Sequence, residues 1–136
     1  MDKTLLADTQ SRARGRCEYC RLPQAESDLP FSIDHIKARK HQGTTTFDNL
    51  ALACTCCNLH KGPNIGGSDP ETGQFCRLFN PRLDRWADHF RWDGLKILGI
   101  TPVGRVTVAV LVMNAEEQLA ARRILLRSGW FLRIDI

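Results

Sequence analysis

Residues 53–62 read A-C-T-C-C-N-L-H-K-G: three cysteines in four positions, then an asparagine, a histidine and a lysine. Upstream, and separated from Cys54 by 33 residues, Cys17-Glu-Tyr-Cys20 is a C-x-x-C turn. Pairing Cys54 with Cys57 repeats the same spacing. A C-x-x-C turn brings two thiolates to one side at about 2.3 Å from a zinc ion, and two such turns close a tetrahedral structural site. The alternative for Cys17, Cys20, Cys54 and Cys57 is a set of disulfides or unrelated buried thiols. Two matched turns in one short chain favour zinc. Cys56 and Cys76 are left over, the first as a small apolar side chain and the second as a loop thiol.

A plain zinc ribbon has roughly 15–20 residues between its cysteine pairs. Here the insert holds F-S-I-D-H-I at 31–36, whose apolar–polar alternation suits a strand. A polar stretch with Gly43 follows, and N-L-A-L-A at 49–53 suits a second strand. T-C-C-N-L-H-K then fits a short helix stopped by Gly62-Pro63. Strand, loop, strand and helix, tied at both ends by zinc, form a compact unit. The insert carries Asp34, His35 and Asn49, with Asn58 just beyond it. These groups suit phosphodiester hydrolysis. A neutral histidine takes a proton from water near neutral pH, and a carboxylate and an amide oxygen are hard ligands of the kind Mg²⁺ prefers.

C-E-Y-C, D-H-I and N-L-A-L-A-C-T-C-C-N with the following K-G resemble the HNH nuclease motif in its zinc-stapled form, with asparagine in the third position. The match covers about residues 17–62. The resemblance implies an α+β chain with a ββα-metal (His-Me finger) core, stapled by the four-cysteine zinc site and followed by a C-terminal α/β extension. It implies a divalent-metal-dependent endonuclease that hydrolyses DNA phosphodiester bonds, with structural Zn²⁺ and catalytic Mg²⁺ or Mn²⁺. His35 becomes the general base, Asp34 and Asn58 the metal ligands, and Asn49 the brace that orients the histidine. Lys37, Arg39, Lys40, His41, His60 and Lys61 become candidate nucleic-acid contacts. Neighbours on a regular strand point to opposite faces, so the strand must bend or end where Asp34 meets His35. The alternative function is a non-catalytic, zinc-stabilised nucleic-acid-binding module.

Outward from this unit, residues 3–14 read as an N-terminal helix, and Arg12, Arg14, Arg16 and Arg21 flank the first knuckle as a phosphate-facing cluster or a solvated face. Residues 63–81 are rich in Gly, Pro, Asp and Asn and read as a loop. D-R-W-A-D-H-F suits a helical turn, and its Asp88-His89 pair has no cysteines framing it and is assigned no chemistry. Asp93-Gly94 signals a tight hairpin. Thr101-Pro102 suits the start of a helix over 102–113, although its valines also permit a strand. Asn114 with Glu117 resembles a capping box for a helix over 115–128, closed by Gly129. Trp86, Phe90 and Trp92 read as core, while Arg82, Arg85, Arg91 and Arg105 could face a DNA backbone. The tail from D-P-E-T-G-Q onward also resembles the C-terminal extension of a subgroup of small bacterial HNH proteins.

The totals fit this reading. The 136 residues suit one domain, 1–136, with the HNH core at about 16–62, the loop at 63–81 and the extension at 82–136. Hydrophobic residues make up 43 % and charged ones 25 %, an ordinary globular balance. The longest apolar runs are too short to span a bilayer, and the N-terminus lacks the apolar stretch of a signal peptide. The expectation is a cytoplasmic protein with no membrane partner. The net charge of +4 is a mild basic bias that permits nucleic-acid binding without demanding it. One site per chain leaves the oligomeric state open.

Overall fold

The computed structural model describes residues 1–130, as a chain of mixed helix and strand. Helix α1 runs over Lys3–Arg12, opened by the Asp2 carboxylate, which accepts from the Thr4 amide at 2.7 Å. The first knuckle follows. Cys17 N–H donates to the Leu22 carbonyl, and Cys20 N–H donates to Cys17 Sγ at 3.4 Å. Glu18 clips this knuckle to the sheet beyond it. Its amide donates to the Leu52 carbonyl at 2.8 Å, and its carboxylate accepts from the Leu52 amide at 2.8 Å.

Strand β1 (Ser32–His35) pairs antiparallel with β2 (Leu50–Ala53), in a register that sets Asp34 opposite Ala51 and His35 opposite Leu50. All four β2 residues are buried, so β2 is a continuous apolar run rather than an alternating one. Helix α2 (Thr55–Lys61) starts at once, with Cys54 as its N-cap: Cys54 Sγ accepts from the Cys57 amide at 3.4 Å. The two knuckles thus make the same local N–H···S bond, three residues apart in each case.

Residues 63–81 contain a hairpin that the glycine-rich composition concealed. Strand β3 (Gly66–Ser68) pairs with β4 (Phe75–Arg77), and Cys76 lies on β4. Asp69 closes the hairpin's turn, accepting from the Glu71 amide and the Thr72 hydroxyl, and pairs with both Nε and Nη2 of Arg105 at 3.0 and 2.9 Å. Helix α3 is the single turn Trp86–His89. Strands β5 (Phe90–Asp93) and β6 (Lys96–Gly99) form the hairpin turned by Gly94, whose φ of 60° suits glycine. Helix α4 (Pro102–Val110) is capped by the Thr101 hydroxyl and packs on β6. A Cβ on Gly104 would stand 2.0 Å from the His89 carbonyl oxygen, so only glycine allows this approach.

Helix α5 (Glu116–Arg127) departs from expectation at its start. Ala115, not Asn114, is the N-cap, and no side chain caps it. The Asn114 amide is committed elsewhere: it accepts from Ile97 N–H at 2.8 Å and donates to Ile97 O at 2.9 Å, and Arg122 joins it at 3.1 Å. A strand edge that needs partners wins over the helix end.

The core joins the extension to the cysteine-knuckle unit. Trp86 Nε1 donates to the Tyr19 carbonyl at 2.7 Å. Arg82 pairs with the Glu18 carboxylate and donates to Leu50 O at 3.3 Å. Phe90 packs against Phe79 and Trp86, with ring centroids 5.2 and 5.0 Å apart. Among the described residues, no helix is long and apolar enough to cross a membrane.

Candidate active site

The four thiols meet where the start of α2 faces the first knuckle. Cys17, Cys20, Cys54 and Cys57 are all buried, and their sulfurs lie within 4.8 Å of one another. Cys20 Sγ and Cys54 Sγ are 3.6 Å apart, against about 3.8 Å for sulfurs at tetrahedral positions around zinc. The donor set and its spacing fit zinc. Burial pushes the Cys17 thiol well above its ordinary range, so thiolates in this pocket need a cation among them. Gln118 of α5 covers the cluster. Its Nε2 lies 3.7, 3.6 and 3.8 Å from the sulfurs of Cys20, Cys54 and Cys57.

Strand β1 ends at His35, and the chain's alternation separates the two residues of the D-H pair. Asp34 turns inward and is 6 % exposed. Its Oδ2 accepts from the Tyr19 hydroxyl at 2.7 Å. Lys61, from the last turn of α2, is 1 % exposed and lies 3.2 Å from Oδ1 and 3.1 Å from Oδ2. The same ammonium donates to the His35 carbonyl at 3.0 Å. Burial pushes the Asp34 carboxyl up, while Lys61 and Tyr19 pull it back part of the way.

The His35 ring lies on the other side, half-buried, with Nε2 2.8 Å from Thr45 Oγ1. With Nε2–H donated to that hydroxyl, Nδ1 keeps its lone pair and has no protein partner among the described residues. Asn49 ties down the loop between His35 and Thr45. Its Oδ1 accepts from Lys37 N–H at 2.9 Å, and its Nδ2 donates to the carbonyls of Lys37 and Thr44 at 3.0 and 2.8 Å. Asn58 is half-buried on α2, and its side-chain amide has no hydrogen-bond partner among the described residues.

The basic residues divide. Lys37, Arg39 and Lys40 are exposed on the loop after β1, with His41 half-buried beside them. His60 points its Nδ1 at the Cys56 carbonyl, 2.9 Å away, and lines a cavity of about 310 Å³ with Cys56, Leu59, Glu117 and Gln118. Lys61 faces inward, as described. Arg12 turns into the protein, bonding the carbonyls of Phe47 and Leu50, and Arg21 stacks over Trp86 at 5.7 Å. Arg82 and Arg105 are engaged with Glu18 and Asp69, while Arg85 and Arg91 stay exposed. A cleft of about 270 Å³ opens beside the site between Ile36, Lys37 and Asn49 on one wall and Ile65, Arg77 and Phe79 on the other.

Sequence reasoning passed over Tyr19, Thr45 and Gln118. Tyr19 sits between two zinc-type cysteines, which is a signal of sorts. Thr45 is one of three consecutive threonines, and nothing in the pattern singles it out.

Residues 17–64 match the family model of the HNH endonuclease. Over 116 residues the chain is 24 % identical to the Septu protein PtuB of Bacillus thuringiensis. That alignment covers 84 % of this chain and 42 % of PtuB, so the chain spans less than half of that relative's length. No solved structure matches the chain at a significant level.

Proposed function

We propose that residues 17–64, an HNH endonuclease domain, make this protein a divalent-metal-dependent nuclease acting on DNA. In this reading β1, β2 and α2 form a ββα-metal core, and zinc fills the four-cysteine cluster as a structural ion. The observation that carries the reading is His35: one ring nitrogen is held by the Thr45 hydroxyl, and the other has no protein partner among the described residues, at the end of β1.

His35 Nδ1 takes the proton of an attacking water as the water adds to the phosphorus. In this reading Nε2–H donates to the Thr45 hydroxyl and leaves Nδ1 basic, and Asn49 keeps the connecting loop from moving the pair apart. Asp34 and Asn58 would hold Mg²⁺ or Mn²⁺, which supplies positive charge to the phosphate and to the leaving 3′ oxygen. Lys37, Arg39, Lys40 and His41, on the same loop, meet backbone phosphates, so binding weakens steeply with salt. The deciding experiment incubates supercoiled plasmid with the protein and with His35→Ala, in Mg²⁺, in Mn²⁺ and in EDTA. Metal-dependent nicking or linearisation that disappears in the variant is expected.

One observation favours a second reading. Asp34 already accepts a hydrogen bond from Tyr19 and one from Lys61, whose ammonium also pairs with its other oxygen, as a purely structural carboxylate does. A zinc-stabilised module that binds nucleic acid without cutting it would show salt-sensitive DNA binding, a full zinc complement and no cleavage with either metal.

A further inference from the structure

We infer that Lys61 is a resident cation which cancels the charge of Asp34, so that a divalent ion and a nucleic-acid phosphate load together. The inference rests on the reading that Asp34 and Asn58 hold the divalent ion.

An ammonium has three protons to donate. Lys61 Nζ donates to Asp34 Oδ1 and to the His35 carbonyl, and lies 3.1 Å from Asp34 Oδ2 as an ion pair. These partners lie inside the protein, and at 1 % exposure the ammonium cannot reach a phosphate. An ionised carboxylate offers about four lone-pair positions. Lys61 takes one on Oδ1, and Tyr19 takes one on Oδ2. One position remains on each oxygen, which is enough for this carboxylate to bind a metal ion.

Charge decides how tightly that bond forms. Asp34 contributes a negative charge and Lys61 a positive one, Asn58 is neutral, and His35 is neutral in its working form. The other carboxylate between β1 and the end of α2 is Asp48, which is exposed and accepts from the Thr46 hydroxyl at 2.6 Å. Affinity for a hard cation follows the count of charged oxygen ligands. An uncharged seat with one carboxylate therefore holds a divalent ion weakly. A phosphodiester brings the missing negative charge with it. Lys61 cannot step aside, because its stem is enclosed and leaving would strand Asp34 as an unpaired buried charge.

The test measures Mn²⁺ binding by its electron paramagnetic resonance signal, in a His35→Ala background that keeps duplex DNA intact. With Lys61 present, the free protein binds Mn²⁺ weakly and added duplex tightens it. Lys61→Met keeps an apolar stem and removes the charge; it should bind Mn²⁺ without DNA about tenfold more tightly or better, with the DNA dependence much reduced. Unchanged Mn²⁺ affinity in the Lys61→Met protein, or equal affinity with and without duplex when Lys61 is present, overturns the inference. If Lys61→Met is too unstable to assay without metal, Mn²⁺ must raise its melting temperature by more than it raises that of the Lys61 protein; an equal rise overturns the inference. The Asp34→Asn/Lys61→Met double variant restores neutrality and must keep zinc and fold while showing no Mn²⁺ effect; a retained effect places the ion elsewhere and also overturns it. Plasmid cleavage by the unsubstituted protein tests the nuclease reading separately. Cleavage without the Mn²⁺ effect sinks only the inference, and the Mn²⁺ effect without cleavage sinks only the nuclease reading.

Discussion

The side-chain amide of Gln118 stands 3.6 Å from Cys54 Sγ, so a helix of the C-terminal extension supplies the polar cover of the cysteine cluster. Four thiolates around one zinc carry surplus negative charge, and an N–H donor among the sulfurs spreads it. Gln118→Leu should weaken zinc retention about 10- to 100-fold, the usual cost of losing such a partner. Gln118→Glu should weaken it further, because it sets a carboxylate against thiolates. Competition with a chromogenic chelator measures both, and retention equal to the parent in either variant would show the contact to be idle.

Zinc should be part of the fold rather than an ornament on it. Cys54 is at once a zinc-type ligand and the N-cap of α2. Cys54→Ala therefore loses both the metal and the cap and should abolish cooperative melting of the knuckle unit. One zinc per chain by elemental assay in the parent, and none in the variant, is the expected pair of results.

His35→Ala should lower plasmid cleavage about 10²- to 10⁴-fold, the range for removing a general base, with zinc content and melting temperature unchanged. Thr45→Val should cost less, about tenfold, since it frees the ring to rotate and change tautomer without removing it. A Thr45→Val protein as impaired as His35→Ala would mean that the hydroxyl itself takes part in the chemistry.

Asn49→Ala removes three hydrogen bonds to the loop backbone. These bonds are partly solvent-exposed, so the expected loss of stability is about 1–2 kcal/mol. The sharper signature is local: protease cutting within residues 37–46 should quicken before global unfolding does. Denaturant melts paired with limited proteolysis distinguish a loosened loop from a loosened protein.

Much of this architecture was legible in the sequence because it rests on short-range signals. The paired C-x-x-C turns, the alternation in F-S-I-D-H-I, the stop at Gly62-Pro63, the Asp-Gly hairpin and the Thr-Pro helix start are each decided within a few residues. What stayed hidden depends on long-range partners. The hairpin over 66–77 has too many glycines to show a two-residue period. Asn114 looks like a cap until β6 claims its amide. Lys61 read as a phosphate contact because it closes a polar helix; yet it lies four residues after the buried Cys57, one turn along the same face, which is a sign that it points inward. Gln118 and Arg122 share the buried stripe of α5 with Leu125, and polar residues on an inner face give no periodic signal.

Tyr19 lies between Cys17 and Cys20, hands its hydroxyl to Asp34 and lends its carbonyl to Trp86. The turn that brings two cysteines to the cluster is therefore also the turn that steadies the carboxylate and anchors the extension. A chain made during zinc starvation would lose more than rigidity: it would lose the alignment of Asp34, and any nuclease activity with it. If zinc fills the cluster as proposed, nutrient zinc becomes a condition for the proposed reaction, in which zinc takes no direct part.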